Sequence, residues 1–143
     1  MNIIIGSDHA GYELKEACKA HLLELDEHRV TDVGVFSRDS SDYPRIAKEV
    51  AGAVGRGEFE RGVLVCGTGI GMSITANRFK GVRAALCNDL YSARMSRLHN
   101  DANILAMGGR VAGPGVALEI LDVFLKTSFE GGRHKKRLDL IDD

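Results

Sequence analysis

Short apolar runs rich in β-branched residues alternate with segments of helical period along the whole chain, and no other feature restricts its possible folds as strongly. Strands separated by helices pair in parallel through right-handed crossovers, which place helices on both faces of the sheet. The sequence therefore predicts an α/β protein with a three-layer αβα, Rossmann-like fold and a five-stranded parallel sheet. The strands are predicted at residues 3–5, 29–33, 63–65, 82–86 and 103–107.

The segments between the predicted strands carry helical signals. Between residues 14 and 25, apolar side chains recur at the spacing of one helical face. Pro44 and Pro114 suit the first turn of a helix. Asn88 or Asp89 can cap another helix. These signals fit the helices that a parallel sheet requires.

The composition is that of an ordinary globular domain without a strong electrostatic preference. Nineteen basic and twenty acidic side chains leave a net charge of −1, so no overall field directs the chain to nucleic acid or to a membrane. The 143 residues contain no linker, repeat or low-complexity tract. We expect a single domain over residues 1–143, ending in a basic helical segment at about residues 131–143.

The cysteine content favours a reducing compartment. Cys18, Cys66 and Cys87 are odd in number and form no Cys-x-x-Cys pair, which argues against a disulfide framework and a thiolate zinc site. The N-terminal residues are too short and too uncharged for a secretory signal, and no apolar run approaches the roughly 20 residues that span a bilayer. We therefore expect a soluble, cytoplasmic protein.

Residues 61–77 place Cys66 where a β-branched run meets a loop with glycine at every second position. Ligands of open α/β sheets bind outside the carboxyl ends of strands, and the N–H groups of a following helix lower the pKa of a thiol there. Cys66 is thus a candidate catalytic thiol, or else a small buried apolar side chain. Gly-x-Gly-x-Gly after the third strand lacks the spacing and the place of a dinucleotide fingerprint, so nucleotide binding is not expected.

Polar segments follow four of the five predicted strands. Because parallel strands end at one edge of the sheet, these segments are expected to lie together. Asp8, in the first of them, is also a candidate helix N-cap. The segments are residues 6–11, 66–71, 87–89 and 108–110.

Two further sites of interest lie near helix ends. His99, at the end of the helix that Asn88 or Asp89 can cap, can serve as a general acid or base or as a C-terminal cap that favours the helix dipole. Arg133 and Arg137 are four residues apart and would share a helical face, where they could clamp one phosphate. A basic run of this kind is also compatible with a solvated surface.

Taken together, these segments resemble the type B ribose-5-phosphate isomerases and their galactose-6-phosphate and allose-6-phosphate isomerase relatives. The resemblance extends over essentially the whole chain, and the ordered set of motifs is specific where each motif alone is not. The motifs are Gly-Ser-Asp-His-Ala-Gly at 6–11, Asp-Tyr-Pro at 42–44, Cys-Gly-Thr-Gly-Ile-Gly at 66–71, Ala-Asn at 76–77, Arg-Leu-His-Asn-Asp at 97–101, Asn-Ile-Leu at 103–105 and Glu-Gly-Gly-Arg-His at 130–134.

The resemblance implies a role for individual residues. The general base of the family corresponds to Cys66 and its ring-opening histidine to His99, while Thr68 either relays a proton or shapes the loop. In the family the site lies between two subunits, so a homodimer, or a dimer of dimers, with shared sites is expected. The implied substrate contacts are Asp8, His9, Tyr43, Gly67, Gly69, Ile70, Gly71, Asn100, Arg110, Arg133 and Arg137.

The implied activity is the interconversion of ribose 5-phosphate and ribulose 5-phosphate through an enediolate. This chemistry opens a sugar ring and moves a proton between neighbouring carbons, so no metal and no other cofactor is expected. The same isomerisation of allose or galactose 6-phosphate remains open, and so does a non-catalytic sugar-phosphate-binding module, although pure binding needs no poised thiol. The expected partners are a phosphorylated pentose and a second copy of the chain, with neither nucleic acid nor membrane.

Overall fold

The computed structural model describes residues 1–142, in which six α-helices surround one β-sheet. No helix within these residues has the length and apolarity that crossing a bilayer requires. The elements are β1 (Asn2–Ser7), α1 (Tyr12–Glu24), β2 (Arg29–Asp32), α2 (Tyr43–Gly55), β3 (Arg61–Cys66), α3 (Ile70–Ala76), β4 (Ala84–Leu86), α4 (Leu90–Leu98), β5 (Ile104–Gly108), α5 (Pro114–Lys126) and α6 (Arg133–Asp142).

The strands of residues 1–142 form one parallel sheet in the order β2-β1-β3-β5-β4, which confirms the predicted αβα fold class. The register pairs Ser7 with Val65 and Cys66 with Gly108. Strands β1, β3 and β5 therefore end side by side, and the loops that follow them meet at one edge of the sheet.

The sheet is buried on both faces, which explains why its central strands read as continuous apolar runs. On one face, Ile3 and Val63 form an apolar cluster with residues of α1, α4 and α5. On the other, Ile4 and Leu64 form a cluster with residues of α2 and α3. The Cys66 side chain belongs to this second cluster.

The fourth strand begins two residues later than predicted, at Ala84. The N–H of Val82 donates to the carbonyl of Phe79 in a turn, at 3.1 Å. The N–H of Arg83 donates to the side-chain oxygen of Asn103, at 2.8 Å. Because these two amides bond to a turn and to a side chain, they do not extend the strand.

The two outer strands are short, and a side chain covers part of the open edge of β4. β2 spans four residues and β4 spans three. The Asn77 amide accepts the N–H of Ala84 at 2.8 Å and donates to the carbonyl of the same residue at 2.9 Å. Asn77 thus pairs with the strand as a neighbouring main chain would.

A buried ion pair connects α1 to β2 and to the loop that follows. Lys15 is fully buried, and its Nζ donates to both carboxylate oxygens of Asp32 at 2.9 Å and to the carbonyl of Val35 at 2.7 Å. Lys19 brings a second ammonium group to 2.7 Å from Asp32. Burial alone would raise the pKa of Asp32, but the hydrogen bonds from Lys19, Lys15 and the Gly34 N–H lower it.

Candidate active site

A cleft of about 450 Å³ opens at the carboxyl edge of the sheet, among the loops that follow β1, β3 and β5. We call it the cysteine cleft. Most of the residues that the sequence assigned to a site line it, and Gly69 lies in the same loop as Cys66. The predicted residues that line it are Asp8, His9, Tyr43, Cys66, Gly67, Thr68, Ile70, Gly71 and Arg110.

The sulfur of Cys66 receives a hydrogen bond from the main chain. The N–H of Gly69 donates to Sγ at 3.1 Å, and the cysteine is 5% exposed. An amide donor stabilises a thiolate more than a thiol, because it interacts with a full negative charge. Burial raises the pKa of Cys18 to about 12 and that of Cys87 to about 11. Of the three cysteines, Cys66 is therefore the one whose surroundings suit a base or a nucleophile.

Two glycines of the cysteine loop lie where a Cβ would overlap a neighbouring residue. Gly69 has a φ of +82°, and a Cβ there would lie 2.8 Å from the main-chain carbonyl carbon of Met107. A Cβ at Gly71 would lie 2.5 Å from the ring of Tyr43. The glycine pattern thus has a steric cause, and it brings main-chain N–H groups close to Cys66.

The loop after β1 is held by hydrogen bonds of its own side chains. The carboxylate of Asp8 accepts the N–H of Gly11 at 3.0 Å, so it closes the turn ahead of α1, whose N-cap is Gly11 itself. Asp8 is therefore not the N-cap of the helix. His9 forms two hydrogen bonds with Ser41. The main-chain N–H of His9 donates to the serine Oγ at 3.1 Å, and the ring Nδ1 of His9 accepts the main-chain N–H of Ser41 at 3.2 Å.

Arg110 gives the cysteine cleft a positive charge. Its main-chain N–H donates to the carbonyl of Gly67 at 3.0 Å, which fixes the loop after β5 against the cysteine loop. The side chain is exposed and forms no salt bridge with any residue of the described chain. A cationic group without a counterion beside a cleft is suited to bind an anion.

A second group of predicted residues lies outside the cysteine cleft, where the end of α4 meets the start of α6. His99 is the C-cap of α4, and its ring stacks on that of His134 with 4.2 Å between centroids and 13° between planes. His134 is 4% exposed, and its Nε2 lies 3.7 Å from Glu130. Burial and then the charge of His99 lower the pKa of His134. We call this group the histidine cluster. The predicted residues Asn100, Arg133 and Arg137 lie nearby in the chain and are exposed.

The histidine cluster offers three possible metal ligands, since donor atoms of His99, Glu130 and His134 lie within 4.8 Å of one another. The lone pair of a ring nitrogen lies in the plane of its ring, so two nearly parallel rings direct their lone pairs side by side. One ring would have to rotate before both nitrogens could approach an ion at the roughly 2.0 Å of a zinc bond. The observed geometry is that of stacked imidazoles.

Two arginines hold the turn that carries His99 and Asn100. The buried Arg97 donates to one carboxylate oxygen of Asp101 at 2.8 Å, and Arg83 donates to the other at 3.2 Å. Asp101 has a φ of +44°, so its side chain secures a turn that its backbone alone would not favour. The four-residue spacing of Arg97 and Asp101 is a signal that could have revealed their pairing. Arg83 is distant in sequence and offers no such signal.

The sequence did not reveal three residues that lie beside the predicted site residues. Glu130 and His134 stand inside a quoted motif, but nothing in the motif shows that His134 packs on His99. Ser41 contacts His9 across 32 positions of sequence, which no local pattern reports.

Comparisons with known proteins agree with this fold. A family model described as Ribose/Galactose Isomerase matches residues 3–141. Ribose-5-phosphate isomerase B of Escherichia coli is 48% identical over 139 residues, which cover 97% of this chain and 93% of that protein. Among solved structures, ribose-5-phosphate isomerase B of Clostridium thermocellum superposes with a TM-score of 0.95 at 51% identity, covering 99% of this chain and 95% of the other. A ribose 5-phosphate isomerase of Thermotoga maritima gives the same TM-score, 0.95, at 50% identity, with coverages of 99% and 97%.

Proposed function

The chain belongs to the ribose/galactose isomerase family, and we propose that it interconverts ribose 5-phosphate and ribulose 5-phosphate. The ribose-5-phosphate isomerases to which it is similar support this substrate. One observation carries the mechanism: the Gly69 N–H donates to the sulfur of Cys66 in a cleft that also contains Arg110. A base and an anion-binding group in one cleft meet the needs of sugar-phosphate isomerisation.

The proposed reaction begins with ring opening, in which His99 gives a proton to the ring oxygen as the bond between C1 and that oxygen breaks. The hydroxyl on C1 loses its proton to solvent as the aldehyde forms. The Cys66 thiolate then removes the proton from C2 of the open aldose. The electron pair of the C–H bond forms the C1–C2 double bond, and the carbonyl pair moves onto O1. The thiol returns the proton to C1, where the C1–C2 double-bond pair forms the new C–H bond. The electron pair of the O2–H bond forms the C2 carbonyl, and the proton of O2 passes to O1. Atoms and electrons balance within the substrate, so the step itself consumes no oxidant or reductant.

The negative charge of the enediolate develops on the two substrate oxygens. Main-chain N–H groups of the cysteine loop are the proposed donors to these oxygens, because fixed donors need no reorganisation as charge develops. The Thr68 Oγ1 accepts the Ile70 N–H at 3.2 Å, so its own proton remains available to a substrate oxygen. Thr68 therefore both shapes the loop and, as we propose, relays a proton between O1 and O2.

We propose that each active site is completed by a second copy of the chain. None of the residues His99, Asn100, Arg133 and Arg137 lines the cysteine cleft. Two apolar side chains at the cleft, Ile70 and Ile74, are 50% and 60% exposed. A homodimer, alone or within a dimer of dimers, would cover these side chains and bring the histidine cluster of one subunit to the cysteine cleft of the other. Arg133 and Arg137 would then hold the substrate phosphate together with His9 and Arg110.

The second candidate function is the same isomerisation of a hexose 6-phosphate, which the family description supports through galactose. The catalytic groups would be the same, and the length of the cleft would select the substrate. A difference of this size in a pocket gives about 10- to 200-fold discrimination. Comparing kcat/KM for ribose 5-phosphate, allose 6-phosphate and galactose 6-phosphate therefore decides between the two candidates.

The activity is tested with purified protein dialysed exhaustively against EDTA and assayed without nicotinamide. We expect full conversion of ribose 5-phosphate to its equilibrium with ribulose 5-phosphate, because the mechanism uses only groups of the chain. Loss of turnover on chelation that a divalent ion restores would contradict the thiol mechanism. The free cysteines support the further proposal that the protein works in a reducing cytoplasm.

A further inference from the structure

His9 and Ser41 form a closed pair of hydrogen bonds in which each residue donates once and accepts once. The N–H of His9 donates to the Oγ of Ser41 at 3.1 Å. The N–H of Ser41 donates to the Nδ1 of His9 at 3.2 Å. The second bond restricts the chemistry of the imidazole, because a main-chain N–H can only donate.

A ring nitrogen that accepts a hydrogen bond carries no proton. In a neutral imidazole with an unprotonated Nδ1, the proton is on Nε2. The same bond fixes the orientation of the ring, since a half-turn would place a C–H group against the serine N–H. Nδ1 is therefore occupied by Ser41, and Nε2–H is the polar group that His9 can offer to the cleft it lines.

We propose that Ser41 is a positioning residue that holds His9 in the Nε2-protonated tautomer, so that His9 donates a hydrogen bond to an anionic oxygen of the substrate. The proposal rests on the proposed function for the identity of that substrate, a sugar phosphate. The proposal also excludes His9 as the general base. With its only free nitrogen protonated, a neutral His9 is no proton acceptor toward the substrate, and Cys66 remains the base of the cleft.

The position of Ser41 is well suited to this purpose. It directly precedes Asp42, the N-cap of α2, and the carbonyl of Asp42 accepts the N–H of Arg45 at 3.3 Å. At its other end, the loop that leads to Ser41 is anchored by the Lys15 ammonium on the carbonyl of Val35. The serine N–H therefore comes from a segment that is fixed on both sides, as a group that selects one tautomer must be.

The arrangement also suits the neighbouring charge. Arg110 already provides a permanent cation at the cleft, and a neutral N–H donor adds a directional bond without a second charge that would repel it. A phosphate oxygen can accept from both groups at once.

The tautomer is measured directly by long-range proton–nitrogen correlation spectra of the full-length enzyme labelled with nitrogen-15 in histidine. The spectrum of His9→Gln, from which one set of ring signals is missing, assigns the signals of His9. At mildly alkaline pH, where imidazoles are neutral, we expect His9 to show one protonated nitrogen, Nε2, with and without inorganic phosphate. A protonated Nδ1, or an even mixture of tautomers, would overturn the proposal whether or not the enzyme isomerises ribose 5-phosphate.

Kinetics of matched variants test the donor and its positioning. The amide of Gln can place an N–H near the position of Nε2, whereas that of Asn reaches only as far as Nδ1. We therefore expect His9→Asn to raise the KM for ribose 5-phosphate about tenfold or more above that of His9→Gln, as loss of a bond to a charged group requires. Ser41→Ala and Ser41→Thr keep the main-chain N–H that donates to Nδ1, so both should retain the Nε2-protonated tautomer of His9. Ser41→Pro removes that N–H and should raise KM and give His9 a mixture of tautomers. Equal KM values for the two His9 variants, or an unchanged tautomer in Ser41→Pro, would contradict the proposal.

Discussion

The separation of the cysteine cleft from the histidine cluster predicts that two inactive variants can repair each other. Cys66→Ala removes the proposed base and His99→Asn removes the proposed ring-opening acid, so each variant, as the proposed homodimer, should be inactive on ribose 5-phosphate. A mixed dimer contains one Cys66→Ala subunit and one His99→Asn subunit. If each site is formed by Cys66 of one subunit and His99 of the other, one site of this dimer contains both substitutions and the other site contains neither. Random pairing makes about half of the dimers mixed, and one of the two sites in each is active, so about a quarter of the wild-type activity should return.

The assay mixes equal amounts of the two variants, allows subunits to exchange, confirms the mixed dimer by native mass spectrometry and then measures ribulose 5-phosphate formation. A matched control pairs Cys66→Ala with Arg110→Ala, since both lesions lie in the same cleft. Every site of that mixed dimer carries a lesion, and activity should not rise above the residual value of the single variants. If the Cys66→Ala and His99→Asn mixture also stays inactive after proven exchange, both residues serve a site from the same chain and the shared-site proposal is wrong.

Three further predictions concern the thiol, the phosphate and the interior. Iodoacetamide should label Cys66 well before Cys18 and Cys87, because the pKa values of those two thiols are raised. Substrate should protect Cys66 from labelling. If peptide mass spectrometry finds Cys18 or Cys87 labelled first, the assignment of Cys66 is wrong. Arg137→Ala should raise the KM for ribose 5-phosphate more than it lowers kcat, because Arg137 is exposed and lies on α6 away from Cys66. If Arg133→Ala and Arg137→Ala both leave the kinetics unchanged, these arginines belong to a solvated surface and do not bind the phosphate. Asp32→Asn should lower the free energy of unfolding in urea by about 1–3 kcal/mol, because the fully buried Lys15 then keeps only the partly exposed Glu16, at 3.0 Å, as a carboxylate partner. Folding lowers the pKa of Asp32, so the ionised carboxylate stabilises the folded wild type fully above its ordinary pKa of 3.8. This stabilisation is lost as the pH falls through the pKa of Asp32 in the folded state. The free energy of unfolding of Asp32→Asn should change less over the same pH range.

The sheet was predictable because burial on both faces leaves a strong mark on the sequence. Ile3 and Ile5 are buried on one face of the sheet and Ile4 on the other. The strand therefore reads as an unbroken apolar run. Helix α3 was not delimited, because seven residues hold too few turns for a periodic signal. The start of β4 depends on a hydrogen bond from Arg83 to Asn103, a contact across 20 positions that no local pattern contains.

The site was predictable in its residues but not in its arrangement. The glycine loop was recognisable because glycine recurs at every second position, and Gly69 is required there by its positive φ and by the main chain of Met107. By contrast, the stack of His134 on His99 brings together two helices from different parts of the chain. The bond from Ser41 to His9 joins a loop to a strand end in the same way. Such contacts are decided by the packing of the whole fold, and a linear pattern reports only residues that are neighbours in sequence.

The pairing of Asn77 with the main chain of Ala84 has a consequence for how copies of this protein can join. An open strand edge recruits further strands through its free N–H and carbonyl groups, which is a common route to continuous sheets and to aggregates. Here both main-chain groups of Ala84 already bond to a side chain, and the opposite edge strand is only four residues long. Subunits should therefore associate through helices and loops, each keeping its own sheet, and Asn77→Ala should raise the tendency of the protein to aggregate during refolding at high concentration.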